Sequence, residues 1–264
     1  GGGCSSHTRG IWGGGSTSAP TEVKTMDTVN IMSAGNCADF GDLTADRRSV
    51  CAVSNSTRGL WAGGYDAPNR IDIIDYAHFA SMGDAIDFGN LAVAGSGRGG
   101  VNSPTRAVFA SAFTAGGEIN TIEYVEFSTT GNTVDFGDLV DTMETVSGVS
   151  SSTRGTYCGG YDAPAVIYTN QYIEIASLGN AVDYGDLTDN RNHMASQSNS
   201  VKGVCAGGND PTNSNIIDYF VIANGGTALD FGDLTAARGL LRGGASNTHG
   251  GLNDGYQGTR INVA

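Results

Sequence analysis

Paired aspartates that recur at nearly constant spacing are the first candidates for chemistry in this 264-residue chain. They belong to the phrase Asp-Phe-Gly-Asp-Leu, whose five copies, some with one replacement, occupy 39–43, 87–91, 135–139, 183–187 and 230–234. Clustered carboxylates on flexible loops are ligands that Ca²⁺ prefers. Asn90 replaces the second aspartate of the second copy, and this exchange favours a hydrogen-bonding cap over an obligatory calcium ligand. We therefore interpret the first aspartate of each copy as a structural repeat marker: Asp39, Asp87, Asp135, Asp183 and Asp230.

A recurring arginine keeps the same period as the aspartates. It stands in Thr-Arg-Gly or Thr-Arg at Arg9, Arg58, Arg106 and Arg154. Because buried charges are normally paired, the aspartates are interpreted either as turn caps or as partners of these arginines. We expect Arg154 in particular to be buried and paired with a nearby aspartate.

Catalytic and metal-binding motifs are not supported by the pattern. Asp-Phe-Gly is also the magnesium motif of protein kinases, but here it belongs to a repeat without a His-Arg-Asp loop or a glycine-rich phosphate loop. The five cysteines lack paired spacing and the four histidines fall at unrelated phases of the repeat, whereas zinc sites need clustered ligands. No nucleophile–base pair or cofactor motif is found. We predict a protein that is not an enzyme, with no catalytic residue, no metal and no cofactor.

Loops that contain tyrosine or asparagine are the candidate binding residues. Tyr-Asp-Ala-Pro occurs at 65–68 and at 161–164, each time after a glycine doublet. An aromatic ring beside a carboxylate can stack on a sugar; alternatively, the proline orders the turn and the tyrosine folds back onto the protein. Loops carried by a rigid scaffold are where binding normally resides. The predicted ligand- or partner-binding residues are Tyr65, Asp66, Asn69, Arg70, Tyr161, Asp162, Asn209 and Asp210.

A period of about 48 residues predicts the elements that carry these side chains. In each unit, short stretches rich in β-forming residues are separated by turn-forming residues, which fits four strands and no helix. Four antiparallel strands repeated at this period are typical of a β-propeller blade. We label the strands of a blade a to d from the inside outward. The large aromatic residues of strand b are predicted to pack between blades, and two cysteines to be small buried hydrophobes: Trp12, Trp61, Phe109 and Tyr157, then Cys158 and Cys205.

The order of the markers predicts a single all-β domain over 1–264 with six blades, five of them complete. After the fifth d strand, a sixth blade continues with strand a at 239–246, strand b at 250–255 and strand c at 259–264. The chain begins in a strand a, and we expect upstream residues to be missing. An outer strand preceding Gly1 would complete the sixth blade and join the ends of the ring, which removes free sheet edges.

The repeat resembles the kelch repeat of β-propellers. The matching residues are Arg47, the stretch 61–64, Tyr76 and Phe88, with equivalents in the other units. The phrase Asp-Phe-Gly-Asp-Leu-Thr, followed by Arg and then by Thr-Arg-Gly and Gly-Gly, is also similar to repeats in structural and tail-fibre proteins of marine bacteriophages, including cyanophages. That resemblance implies a virion surface protein.

Composition restricts the partners. A formal net charge of −13 argues against nucleic acid, because phosphate binding needs clustered basic residues. No run of 18 apolar residues exists, so no membrane insertion is expected. We predict a non-enzymatic virion structural or host-attachment module at the virion surface, present in the host cytoplasm during assembly. Its expected partners are other virion proteins or a host glycan or receptor, and self-association is allowed. The alternative is a lectin-type propeller that is not part of a virion.

Overall fold

Five four-stranded antiparallel sheets make up most of the computed structural model, which describes residues 1–18, 21–240, 244–245, 250–251, 255–257 and 259–261. The described part of the chain contains strands, turns and bends but no helix, and hence no helix able to span a membrane. Within each sheet the strands follow one another from the inside outward, with the small β7–β8 hairpin set apart in the second sheet. The prediction of an all-β fold with four-stranded antiparallel blades is confirmed.

The strands have the following bounds. The first sheet consists of β1 (Gly2–Ser5), β2 (Arg9–Ser18), β3 (Thr21–Asn30) and β4 (Ala38–Asp42). The second consists of β5 (Cys51–Ser54), β6 (Arg58–Ala62), β9 (Ile73–His78) and β10 (Ile86–Asn90), with the hairpin β7 (Tyr65–Asp66) and β8 (Asn69–Arg70). The third consists of β11 (Gly99–Asn102), β12 (Arg106–Thr114), β13 (Gly117–Glu126) and β14 (Val134–Met143). The fourth consists of β15 (Ser147–Ser150), β16 (Arg154–Asp162), β17 (Ala165–Glu174) and β18 (Val182–Asp186). The fifth consists of β19 (Ala195–Ser198), β20 (Lys202–Ala206), β21 (Ser214–Val221) and β22 (Leu229–Arg238).

The sheets are arranged as in a propeller. Innermost strands contact one another in chain order, β1 with β5, β5 with β11, β11 with β15 and β15 with β19. Four hydrophobic clusters each join two successive sheets. Trp61, Phe109 and Tyr157 are buried in these clusters as predicted, whereas Trp12 is half-buried. Cys158 and Cys205 are fully buried, which confirms the prediction for both thiols.

The structure has five such blades and not the six predicted. Much of the predicted sixth blade lies outside the described residues. Its described parts are two two-stranded sheets, β23 (Gly244–Ala245) with β24 (Gly250–Gly251), and β25 (Gly255–Gln257) with β26 (Thr259–Ile261). A blade needs four strands hydrogen-bonded in one sheet, and these short pairs do not form one. β23 nevertheless contacts both β19 and β1, so it lies between the innermost strands of the fifth and first sheets.

Candidate binding face

Equivalent hairpins present the predicted binding residues on one face of the propeller, which we call the loop face. In four successive blades, a single residue at the end of the strand b segment pairs with the segment that precedes strand a. This residue lies two positions after the first glycine of the Gly-Gly doublet, or after the residue that replaces that glycine. The bridged pairs are 48–65, 96–113, 144–161 and 192–209. Tyr65, Phe113, Tyr161 and Asn209 therefore occupy equivalent positions around this face. Because the bridges fix the hairpins to the inner strands, these four side chains are carried by a rigid scaffold.

The second-blade hairpin folds as a short ladder. Tyr65 pairs with Arg70 and Asp66 with Asn69, and the turn contains a cis peptide bond between Ala67 and Pro68. The Tyr65 and Arg48 backbones exchange hydrogen bonds of 2.8 and 2.9 Å. The four predicted residues of this loop are thus brought together in one two-stranded unit.

Two guanidinium groups lie close to the Tyr65 ring of this hairpin. Arg48 lies 4.9 Å and Arg70 5.9 Å from the centre of the Tyr65 ring. Arg70 also lies 4.3 Å from the centre of the Phe113 ring in the third blade, a distance at which cation–π attraction is favourable. Arg48 makes an ion pair of 3.2 Å with Glu22 of the first blade. Sugar stacking on Tyr65 would therefore compete with these arginines, so the ring is better suited to hold Arg70 in place.

A partly buried carboxylate adjoins this cationic and aromatic group. Burial raises the pKa of Glu144 above its ordinary value of 4.5, repulsion from Glu118 raises it further, and Arg70 opposes the shift. The predicted binding residues did not include Glu144, Glu118 and Phe113. The spacing of 48 residues between Tyr65, Phe113 and Tyr161 was the available indication for Phe113.

Glu144→Gln is expected to stabilise the protein at neutral pH. Because the folded-state pKa of Glu144 is raised, the protonated form favours folding; that contribution is complete below about 4.5 and is lost as the pH rises through the raised value. The glutamine variant should therefore have the higher free energy of unfolding at pH 7, and the difference should disappear near pH 4. Urea unfolding across this pH range measures it. Asp141→Asn, which removes an exposed charge three residues earlier, is the control; an equal gain there would assign the effect to net charge.

The remaining predicted loop residues make local contacts in their own blades. Tyr161 and Glu144 exchange backbone hydrogen bonds of 2.9 Å each. The Asp162 carboxylate accepts a hydrogen bond of 3.3 Å from the Thr142 hydroxyl. In the fifth blade, the Asn209 amide donates to the Pro211 carbonyl at 3.2 Å, and the Asp210 backbone N–H donates to the Thr212 carbonyl at 3.0 Å. These contacts shape the loops but do not by themselves define a pocket.

Four of the five repeated aspartates act as local caps. The carboxylates of Asp39, Asp87, Asp183 and Asp230 each accept a hydrogen bond of 2.9–3.2 Å from the backbone N–H two residues later. The pairing of Arg154 with an aspartate is wrong, because its partner is Glu174 at 2.6 Å, in the neighbouring strand of the same blade. Arg154 is also only partly buried.

The strand b arginines instead connect neighbouring blades. The guanidinium of each donates to the carbonyl that follows strand c of the next blade: Arg9 to Phe79 at 2.6 Å, Arg58 to Phe127 at 2.5 Å, Arg106 to Ile175 at 3.0 Å and Arg154 to Ile222 at 3.2 Å. Each of the last three also lies 4.2–5.0 Å from the centre of a tyrosine ring of strand c in its own blade. These arginines therefore link neighbouring blades by hydrogen bonds.

Three buried ion pairs were missed. Arg47 pairs with Asp75 at 2.6 Å, Arg98 with Glu123 at 2.9 Å, and Arg191 with Asp218; all six side chains are at most 2% exposed. The available indication was an acidic or amide residue directly before each repeated tyrosine: Asp75, Glu123, Gln171 and Asp218.

The described residues include no group of three or more His, Cys, Asp or Glu side chains arranged to hold a metal ion.

Comparison with protein-family models and with curated proteins found no match to this chain. The fold therefore defines the class: an all-β, propeller-like protein with four-stranded antiparallel blades. The resemblances to kelch repeats and to phage structural proteins rest on sequence motifs alone.

Proposed function

We propose that this protein is a non-enzymatic structural or host-attachment module of a phage virion, and that the loop face is its working surface. The observation that carries the proposal is the array of equivalent positions occupied by Tyr65, Phe113, Tyr161 and Asn209 on a rigid scaffold. Aromatic and arginine side chains are enriched where proteins bind partners, and Arg70 lies between two of these rings. The assignment to a virion is supported by the phage-like repeat phrase.

The proposed partners are another virion protein or a glycan or receptor on the host surface, and the proposed location is the virion surface. The second candidate is a carbohydrate-binding lectin outside a virion. It is favoured by Tyr161 and Asp162, a half-buried ring beside a carboxylate at a hairpin tip. Detection of the protein in purified virions by mass spectrometry would support the first function. Glycan-array binding by this domain, without detection in virions, would support the second.

Combined substitution of Tyr65 and Tyr161 by alanine is expected to weaken attachment to virion partner or host by at least about tenfold, because loss of two interface aromatics costs more than about 1.4 kcal/mol. Titration of the labelled protein onto purified virions or host cells measures the change. Thermal unfolding of the same variant shows whether the fold is retained.

Leu178→Ala is the matched control for the opposite face. Leu178 is 57% exposed in a c–d turn, and its loss should leave attachment unchanged. If the double tyrosine variant binds as tightly as the parent, or if Leu178→Ala weakens binding equally, the loop face is not the working surface.

We also propose that the complete molecule is a kelch-like ring of six blades. The supporting observation is that β23 contacts β19 on one side and β1 on the other, where a sixth innermost strand belongs. β24 pairs with β23 and β26 with β25 in the antiparallel sense of strands a, b and c in the other blades. Closure of the ring would protect the sheet edges of the first and fifth blades.

A further inference from the structure

Neighbouring blades are joined at the outer rim by a repeated backbone junction, in which a d strand accepts hydrogen bonds from the c–d turn of the next blade. Between the third and fourth blades, the Gly179 N–H donates to the Phe136 carbonyl at 2.9 Å. The Ala181 N–H donates to the Asp138 carbonyl at 2.8 Å. In return, the Asp138 N–H donates to the Asn180 side chain at 3.1 Å. The same two carbonyl bonds recur at 2.6–2.9 Å in the other three junctions between the five blades.

The glycine of the repeat phrase is needed at each junction. A Cβ built on Gly137 would lie 2.5 Å from the Gly179 carbonyl oxygen. The corresponding distances to turn backbone atoms are 2.5, 2.2 and 2.5 Å for Gly41, Gly89 and Gly185. Any side chain at these positions would push the turn of the next blade away. The phrase is therefore a docking surface for a Gly-containing turn.

The d strand of the fifth blade, β22, carries the same docking surface, and although β22 contacts β25, its docking residues Phe231 and Gly232 are open among the described residues. Phe231 is 61% exposed, whereas its four equivalents are 2–8% exposed: Phe40, Phe88, Phe136 and Tyr184. None of the described residues lies within 4 Å of a Cβ built on Gly232. One half of a junction is present here, and no turn in the described part of the chain is seated on it.

The first blade carries the complementary half. Its c–d turn reads Gly35-Asn36-Cys37, which matches Gly179-Asn180-Ala181 of the fourth blade. Cys37 is exposed and Ile31 is 37% exposed, whereas the equivalents of Ile31 in the next four blades are 1–5% exposed. Among the residues that the structure describes, no d strand contacts this turn as d strands contact the turns of the other blades.

We infer that these two half-junctions are an acceptor site for one peptide hairpin of defined chemistry, supplied by polypeptide outside residues 1–264. The hairpin has a Gly-(Asp or Asn)-small turn followed by an Asp-aromatic-Gly-Asp-Leu strand. Its turn would seat on 231–233 and its strand would receive the turn at 35–37. Addition of a strand to an open sheet edge gains affinity from backbone hydrogen bonds. The inference rests on the proposed six-bladed ring and is independent of the loop face.

The test uses a synthetic peptide with the sequence of residues 174–187, which contains both the turn and the strand of the fourth blade. Calorimetric titration into the whole chain should show one peptide bound per protein, and the rate of Cys37 alkylation should fall when the peptide is bound. Among the five cysteines, the other four are buried, so Cys37 reports the site selectively. A peptide with Gly179→Ala and Gly185→Ala is the control.

Gly232→Ala in the protein should weaken peptide binding by at least about tenfold, the equivalent of a steric cost above about 1.4 kcal/mol. Absence of binding, or equal binding by the control peptide or by the Gly232→Ala protein, would overturn the inference. The inference would also be overturned if light scattering showed that the protein forms an oligomer and that Gly232→Ala abolishes it. In that case a second copy of the chain would fill the site. The attachment defect expected for the combined Tyr65 and Tyr161 substitution does not depend on whether the peptide binds, so the two proposals can fail separately.

Discussion

Arg47→Met is expected to lower the free energy of unfolding by about 3–5 kcal/mol, because it leaves a buried carboxylate without its counter-charge. The Arg47 guanidinium is fully buried, donates to the Ile73 carbonyl at 2.8 Å and pairs with Asp75 at 2.6 Å. Asp75 also accepts bonds of 2.9 and 2.7 Å from the backbone and hydroxyl of Thr44, at the end of the first blade's outer strand. The pair therefore joins two blades, and its loss should be evident in urea unfolding.

The chain itself supplies the matched control for this prediction. The fourth blade has Met143 and Gln171 where the second has Arg47 and Asp75, and the Gln171 side chain accepts a bond of 2.7 Å from the Val140 N–H. The double variant Arg47→Met and Asp75→Gln copies that arrangement and should recover most of the lost stability, since neutral replacements of buried pairs are often tolerated. If the single variant is as stable as the double variant, the buried charge is not the source of the cost.

Periodicity was sufficient to predict the blades because the four strands of each blade pair with one another inside the same unit of about 48 residues. Turn residues and alternating apolar positions are local properties of the sequence. They predicted four antiparallel strands in each complete blade, and the structure has five such blades. The aspartate caps are local too, since donor and acceptor are two residues apart.

Contacts between blades could not be predicted from the repeat pattern. One of the two interpretations paired the Thr-Arg markers with aspartates, yet Arg154 contacts Glu174 and the Ile222 carbonyl, the latter 68 residues away. Which residues meet across two blades depends on how the sheets pack, and a repeat pattern does not encode that packing. Because Glu174 is partly exposed, the Arg154 ion pair is expected to contribute about 0.2–1 kcal/mol. The larger cost of about 3–5 kcal/mol is expected for Arg47, because both side chains of its ion pair are fully buried.

The loop residues illustrate the same limit. A proline-ordered turn at 65–68 was one interpretation of the local sequence, whereas the pairing of Tyr65 with Arg70 and the contact of Arg70 with Phe113 in the next blade were not predicted. Likewise, the repeat phrase was recognised as structural, but its function as the junction between blades depends on a turn from the next unit.

Gly137→Ala is expected to destabilise the protein by about 2–6 kcal/mol from two separable causes. Gly137 has φ +145°, a conformation that costs a non-glycine residue about 1–3 kcal/mol. The added Cβ would also lie 2.5 Å from the Gly179 carbonyl oxygen, and overpacking of this kind costs about 1–3 kcal/mol. Gly232→Ala has a similar φ of +135° but meets no described residue within 4 Å, so it should show only the first cost. Urea unfolding of both variants therefore measures the junction as the difference between them. Equal losses in the two variants would mean that the glycines are needed for backbone conformation alone and that blade-to-blade contact at the rim contributes no steric requirement.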